Sequence, residues 1–161
     1  MQENSAVTPK SLAKWLAEFP EFANSKAWGI GGSCLLQQLG LVAVARDLDI
    51  VCTEAEFLQL SSALAGKLTQ VQVSPHPQFC SHYFARFLHA SGIEIELMAG
   101  IQVQQAADTI CWTFHPELIW FDEQLPWMSA LQWLELYRLF NRPSSADLLL
   151  GYCQSRGITV D

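Results

Sequence analysis

Apolar positions along the chain recur with two periods, and each change of period marks an element. Leu12, Trp15, Leu16 and Phe19 follow Thr8-Pro9 at helical spacing, which predicts a capped helix ending near Pro20. Ala27-Trp28-Gly29-Ile30 is a short apolar run bounded by glycines and reads as a buried strand; Ser33 to Leu39 then reads as a short helix stopped by Gly40. Leu48 to Cys52 is a second β-rich run, and Thr53 with Glu56 forms a capping-box pattern that opens a helix reaching about Ala65. Val71 to Val73 is a short strand candidate, after which the two prolines of Ser74-Pro75-His76-Pro77 predict a loop. His82 to His89 and Ile93 to Met98 are strand-like around Ala90-Ser91-Gly92, an antiparallel hairpin, and Ile101 to Gln104 adds a strand. Thr109 to Pro126 is aromatic and proline-bearing without a period, which predicts an irregular covering loop. Leu131, Leu134, Leu136, Tyr137, Leu139 and Phe140 give a helix to about Asn141, and Ala146 to Gln154 a second after the Arg142-Pro143 break.

These elements add up to an α+β chain, a mixed β-sheet flanked by helices with a short C-terminal helical tail. With 161 residues, half of them hydrophobic and 16% charged, one domain over 1–161 is expected, its core at about 25–105 and its C-terminal helices at about 128–155. Met1 to Lys10 is polar and unlike a secretory leader, and no apolar run approaches the roughly 18 residues of a membrane span, so a cytoplasmic location is expected. Cys34, Cys52, Cys80, Cys111 and Cys153 are odd in number and include no C-x-x-C pair, so they read as buried thiols. His76, His82, His89 and His115 lack the spacing of a helical metal pair. Sixteen acidic residues against nine Lys and Arg give a net charge of −7, the wrong sign for tracking long nucleic acid. The same charge attracts a cationic small molecule, and binding a triphosphate against it requires metal, backbone N–H groups or local arginines.

The candidate chemistry lies where strands begin and end. On a strand, side chains two apart share a face, so Asp47 and Asp49 point one way while Leu48 and Ile50 enter the core. Two carboxylates so placed suit hard divalent cations, which take oxygen ligands. Gly31-Gly32-Ser33 stands between a strand and a helix start, where glycine admits close approach and exposed N–H groups favour phosphate. Ser33 is there either a helix N-cap or a hydroxyl donor to phosphate.

The two features together carry a resemblance. Trp28-Gly29-Ile30-Gly31-Gly32-Ser33 and Arg46-Asp47-Leu48-Asp49-Ile50-Val51, with thirteen residues between Ser33 and Asp47, resemble the paired motifs of the nucleotidyltransferase superfamily, whose fold is that of DNA polymerase beta. The C-terminal stretch around Leu136-Tyr137-Arg138-Leu139-Phe140 and Arg142 resembles the helical tail of the small aminoglycoside and lincosamide nucleotidyltransferase-like proteins. That family adds a third carboxylate from a later strand. In Ile93-Glu94-Ile95-Glu96-Leu97-Met98-Ala99-Gly100 the resemblance points to Glu96, with Glu94 as the fallback, although many relatives carry Asp there. The resemblance implies a magnesium-dependent, ATP- or other NTP-using nucleotidyltransferase with a two-metal site. Asp47, Asp49 and Glu96 would be its catalytic residues and metal ligands, and Gly31, Gly32, Ser33 and Arg46 its nucleotide contacts. The acceptor would be a small-molecule hydroxyl. Arg86 is a second candidate phosphate contact.

Two rivals remain at this point. Gly29-x-Gly31 after a strand, with Asp49 twenty residues on, imitates a dinucleotide site, but Cys34 stands at the third glycine position and no βαβ alternation follows. A catalytically silent binding or antitoxin-like module keeps the fold without the reaction. Six tryptophans, three of them within Cys111 to Trp127, suit core packing, an aromatic ligand pocket or a homodimer surface.

Overall fold

The computed structural model describes residues 6–74, 81 and 83–160. Helix α1 (Pro9–Ala17) opens with a reciprocal cap in which the Ser11 N–H donates to Thr8 Oγ1 at 3.1 Å and the Thr8 N–H to Ser11 Oγ at 2.8 Å. Pro20 does not merely end that helix. It occupies the first position of a further turn, α2 (Pro20–Ala23), whose Phe22 is buried against Trp28.

A seven-stranded sheet follows, built from β1 (Trp28–Gly31), β2 (Leu48–Cys52), β3 (Thr69–Val71), β4 (Tyr83–Leu88), β5 (Glu94–Ala99), β8 (Trp120–Asp122) and β9 (Leu125–Trp127). Its order is β3-β4-β5-β2-β1-β9-β8, with β2–β5 and β1–β9 parallel and the other neighbours antiparallel. Helices α3 (Gly32–Gln38), α4 (Glu54–Ala65), α5 (Ala130–Leu139) and α6 (Pro143–Ser155) complete the α+β architecture, and β6 (Gln102–Gln105) pairs with β7 (Asp108–Cys111) as a separate ribbon. No described helix is long and apolar enough to cross a membrane.

The core runs through Leu16, Ile30, Leu48, Ile50, Leu97, Trp127, Leu136 and Cys153, all fully or almost fully buried. Burying each Leu or Ile contributes roughly 1.5–3 kcal/mol, so the central strands are held by the residues that alternate with the carboxylates. Gly29 and Gly31 keep β1 thin. A Cβ at Gly29 would lie 2.8 Å from Met128 Cγ, and one at Gly31 would lie 2.6 Å from the Trp133 ring.

The structure corrects several sequence expectations. Thr109–Pro126 is not an irregular cover: it holds the end of β7, a 3-10 turn at Pro116–Leu118, β8 and most of β9. Leu125-Pro126-Trp127 is buried at every position and only three residues long, so it shows no alternation that a period could reveal. The expected capping box does not form: the Thr53 side chain makes no cap bond, and its N–H, which the Glu56 side chain would have accepted, donates instead to the Ala27 carbonyl at 3.1 Å and extends the β1–β2 pairing. Helix α6 begins at Pro143 rather than Ala146, with proline at its first position. The strand expected at Val71 to Val73 ends at Val71. Most of the expected loop Ser74 to Pro77, together with His76, Cys80 and His82, lies outside the described residues.

Candidate functional site

The strand register sets one row of residues across the sheet. Gly31 on β1 stands opposite Asp49 on β2, Asp49 opposite Glu96 on β5, and Glu96 opposite Arg86 on β4. Neighbouring strands lie about 4.8 Å apart, so turn, carboxylates and guanidinium follow one another without a gap. Asp47 immediately precedes β2 and stands on the same face as Asp49, where the charge of Glu94 acts on it.

Contacts within the row are specific. Arg86 donates through Nη2 to Glu96 Oε1 at 2.9 Å and through Nε to the same oxygen at 3.1 Å, while Glu94 Oε2 stands 3.7 Å from Nε. Glu96 also shares a side-chain hydrogen bond with Asp49. Burial first, then the charges of Glu96 and Asp47, push the Asp49 carboxyl up to about 8; Arg142 opposes them. Asp49 therefore holds its proton far more tightly than an ordinary carboxyl in the free protein, and Glu96 stands between two partners, accepting from Arg86 and sharing a hydrogen bond with Asp49. Asp47 is raised more modestly, by burial and then by Glu94, against Arg46 and Arg86.

The glycine turn fits closely against this row. Gly32 holds φ +61, a left-handed conformation, and a Cβ there would overlap the Asp49 carboxylate. Ser33 does not cap α3, whose N-cap is Gly31 with no side-chain bond. Its Oγ instead accepts the Arg46 N–H at 3.0 Å and ties the turn to the segment that delivers Asp47. The same burial, with Asp49 as the next cause, drives the Cys34 thiol up to about 12, so this thiol is a packing group.

Above the row lies a cleft of about 790 Å³. Ser33, Arg46, Asp47, Asp49, Arg86 and Glu96 form its floor, and Trp133, Tyr137, Phe140, Arg142 and Ser145 form a wall from α5, α6 and the turn between them. The structure thus brings together Asp47, Asp49, Glu96, Ser33 and Arg46, with Gly31 and Gly32 packed beneath. The wall escaped sequence reading: Trp133 and Tyr137, four apart on one helix face, show only the core period. A second cavity of about 570 Å³, lined by Phe22, Lys26 and Phe121 among others, shares no residue with this cleft.

No family model and no curated protein matches the chain. A solved structure does: a protein from Thermotoga maritima described as a "putative nucleotidyltransferase" superposes with a TM-score of 0.65 at 18% identity, over 96% of this chain and 99% of that one. The chain has the nucleotidyltransferase fold. The dinucleotide alternative falls with it, because β1 and β2 pair antiparallel where a dinucleotide-binding unit needs adjacent parallel strands. In this nucleotidyltransferase fold the carboxylate row occupies the sheet centre, and the C-terminal helices close the cleft over it.

Proposed function

We propose that the chain is a metal-dependent nucleotidyltransferase that moves an NMP group, AMP by preference, from an NTP to a hydroxyl of a small and cationic molecule. The observation that carries this reading is the continuous row of Gly31, Asp49, Glu96 and Arg86, with Asp47 one step before it. The nucleotidyltransferase fold of the superposed relative supports it.

The donor set suits a hard divalent ion. Burial first, and then the charges of Glu96 and Asp47, raise the Asp49 carboxyl, and a bound cation would offset that crowding of carboxylates. Among the described residues no three of His, Cys, Asp and Glu converge closely enough to hold an ion by themselves. Magnesium is commonly held by one or two carboxylates and completed by phosphate oxygens. Asp47 and Asp49 would hold it, with Glu96 joining for a second ion. When bound, the metal supplies charge neutralisation on the polyphosphate.

The protein's own groups then divide the work. The Gly31-Gly32-Ser33 turn and the Arg46 guanidinium receive the polyphosphate, and the sheet fixes its α-phosphorus over the row. Glu96, its oxygens aligned by Arg86, takes the proton of the acceptor hydroxyl. The acceptor oxygen bonds to the α-phosphorus, the bond from that phosphorus to the α–β bridging oxygen breaks, and pyrophosphate leaves.

A silent binding module has one observation in its favour, the ion pair by which Arg86 already occupies Glu96. Pyrophosphate release from Mg²⁺-ATP across a panel of aminosugar and other hydroxyl acceptors separates the two. Release dependent on one acceptor class supports the enzyme, and none with any acceptor supports the silent module.

A further inference from the structure

The floor of the cleft continues past the carboxylate row. Two positions further along β4 and β5, on the face that carries Arg86 and Glu96, Phe84 stands opposite Met98, and both line the cleft. Side chains two apart on a strand lie about 6.5 Å from one another, so an aromatic ring and a thioether adjoin the carboxylate that takes the acceptor proton. Phe84 is 37% exposed; among the described residues it and Val73 are the exposed large apolar side chains that line this cleft. An apolar surface left open inside a polar cleft, beside the reacting groups, is where a ligand's own apolar face belongs.

Charge decides what can lie on this shelf. The Arg86 guanidinium carbon is 5.7 Å from the centre of the Phe84 ring, within the range at which a cation is drawn to an aromatic face, so a second cation placed there meets a guanidinium. An anion meets Glu96, whose Oε1 accepts two bonds from Arg86 and offsets its charge. An uncharged group is what fits. The rim is neutral as well. Gln72, Val73 and Ser74 continue from the end of β3, where Val71 pairs with Arg86, and Ser81 leads into β4 with its Oγ held by the Gln102 N–H at 3.3 Å.

An aromatic floor bordered by amide and hydroxyl groups matches a sugar ring, which presents C–H groups on one face and hydroxyls around its edge. We infer that Phe84 and Met98 form the acceptor subsite, and that the ring bearing the acceptor hydroxyl is an uncharged glycosyl ring laid on Phe84 with that hydroxyl directed at Glu96. This inference rests on the nucleotidyltransferase reading of the cleft, and it places the positive charge of the acceptor away from the reacting ring. Phe84 supplies the flat contact, and the polarisable Met98 thioether fills the space beside it. Neither touches the reacting oxygen, so the pair sets which acceptor binds and leaves the transfer itself to Glu96.

Saturation-transfer NMR on the full chain tests it, with the methyl glycosides of glucose, galactose and mannose, protonated glucosamine and benzyl alcohol as probes. The wild type is compared with Phe84→Leu, which keeps apolar bulk without a ring, and with Phe84→Trp, which keeps a ring; thermal melts check that both variants fold, and calorimetry follows Mg²⁺-ATP in all three. Saturation is expected to reach the ring C–H protons of a neutral methyl glycoside, with glucosamine and benzyl alcohol binding more weakly. The Kd of that glycoside is expected to rise about three- to tenfold in Phe84→Leu and to hold in Phe84→Trp, while Mg²⁺-ATP affinity stays the same throughout. No glycoside binding by the wild type, equal affinity in Phe84→Leu, an equal loss in Phe84→Trp, or tighter binding of glucosamine or benzyl alcohol overturns the subsite, even where Mg²⁺-ATP binds. Glycoside binding through Phe84 by a chain that does not bind Mg²⁺-ATP overturns instead the nucleotidyltransferase reading.

Discussion

Gly32 and Asp49 stand so close that no side chain fits between them: a Cβ on Gly32 would overlap the Asp49 carboxylate. The turn and the strand are thus built as one unit, and the left-handed φ of Gly32 is the second half of the same requirement. Gly32→Ala is expected to cost about 1–2 kcal/mol from the backbone alone, and it displaces Asp49 besides. The expected result is a folded protein with a lowered Tm that no longer binds Mg²⁺-nucleotide, checked by melting and titration of the same sample.

Stability should depend on pH through Asp49. Its carboxyl is raised from an ordinary value near 4 to about 8 in the fold, so the folded state holds the proton more tightly than the unfolded chain. The contribution is fully present below about pH 4, the unfolded value, and is lost as pH rises through 8. The metal-free protein is expected to melt at progressively lower temperature between those limits. Asp49→Asn, which resembles the protonated acid, should flatten the profile and raise the Tm at pH 8 to 9. A wild-type melting temperature that rises over that window would contradict the assignment.

Ser33 contributes a structural bond rather than a cap. Ser33→Ala removes the acceptor for the Arg46 N–H, worth about 1 kcal/mol and hence roughly 2–4 °C in Tm for a chain of this size. It should also weaken Mg²⁺-nucleotide binding, because the segment carrying Asp47 loses its tie to the turn. Unchanged binding would show that Asp47 is held in place without it.

Glu94 and Glu96 share a face but not a role. Glu96 pairs in register with Asp49 and lines the cleft, whereas Glu94 stands two residues earlier on β5, outside the cleft lining, with its Oε2 3.7 Å from Arg86 Nε. Glu96→Gln is expected to lower the rate of transfer by about 10²-fold or more while Mg²⁺-nucleotide binding persists, and Glu94→Gln to lower it far less. The reverse ranking in a steady-state assay would move the base to Glu94.

How much of this was legible beforehand follows from the range of the interactions. Asp47 and Asp49 were visible because alternation over three residues fixes a shared face, and the Gly31-Gly32-Ser33 turn because its neighbours define it locally. The family resemblance points to Glu96 over Glu94, and the register sets Glu96 opposite Asp49. Trp133, Tyr137 and Arg142 were not visible as cleft residues, since α5 packs on β1 from a hundred residues away and its period reports burial alone. Strands β8 and β9, three residues each, are too short for any period, and the Ser33–Arg46 bond spans a loop whose course the sequence does not encode locally.

The central claim is that the row centred on Asp49 holds a metal-bound nucleotide. Isothermal titration of Mg²⁺-ATP into the wild-type chain and into Asp49→Asn tests it most directly. Saturable binding by the wild type and its loss in the folded Asp49→Asn protein is the predicted result; equal binding by both, or none by either, would contradict it.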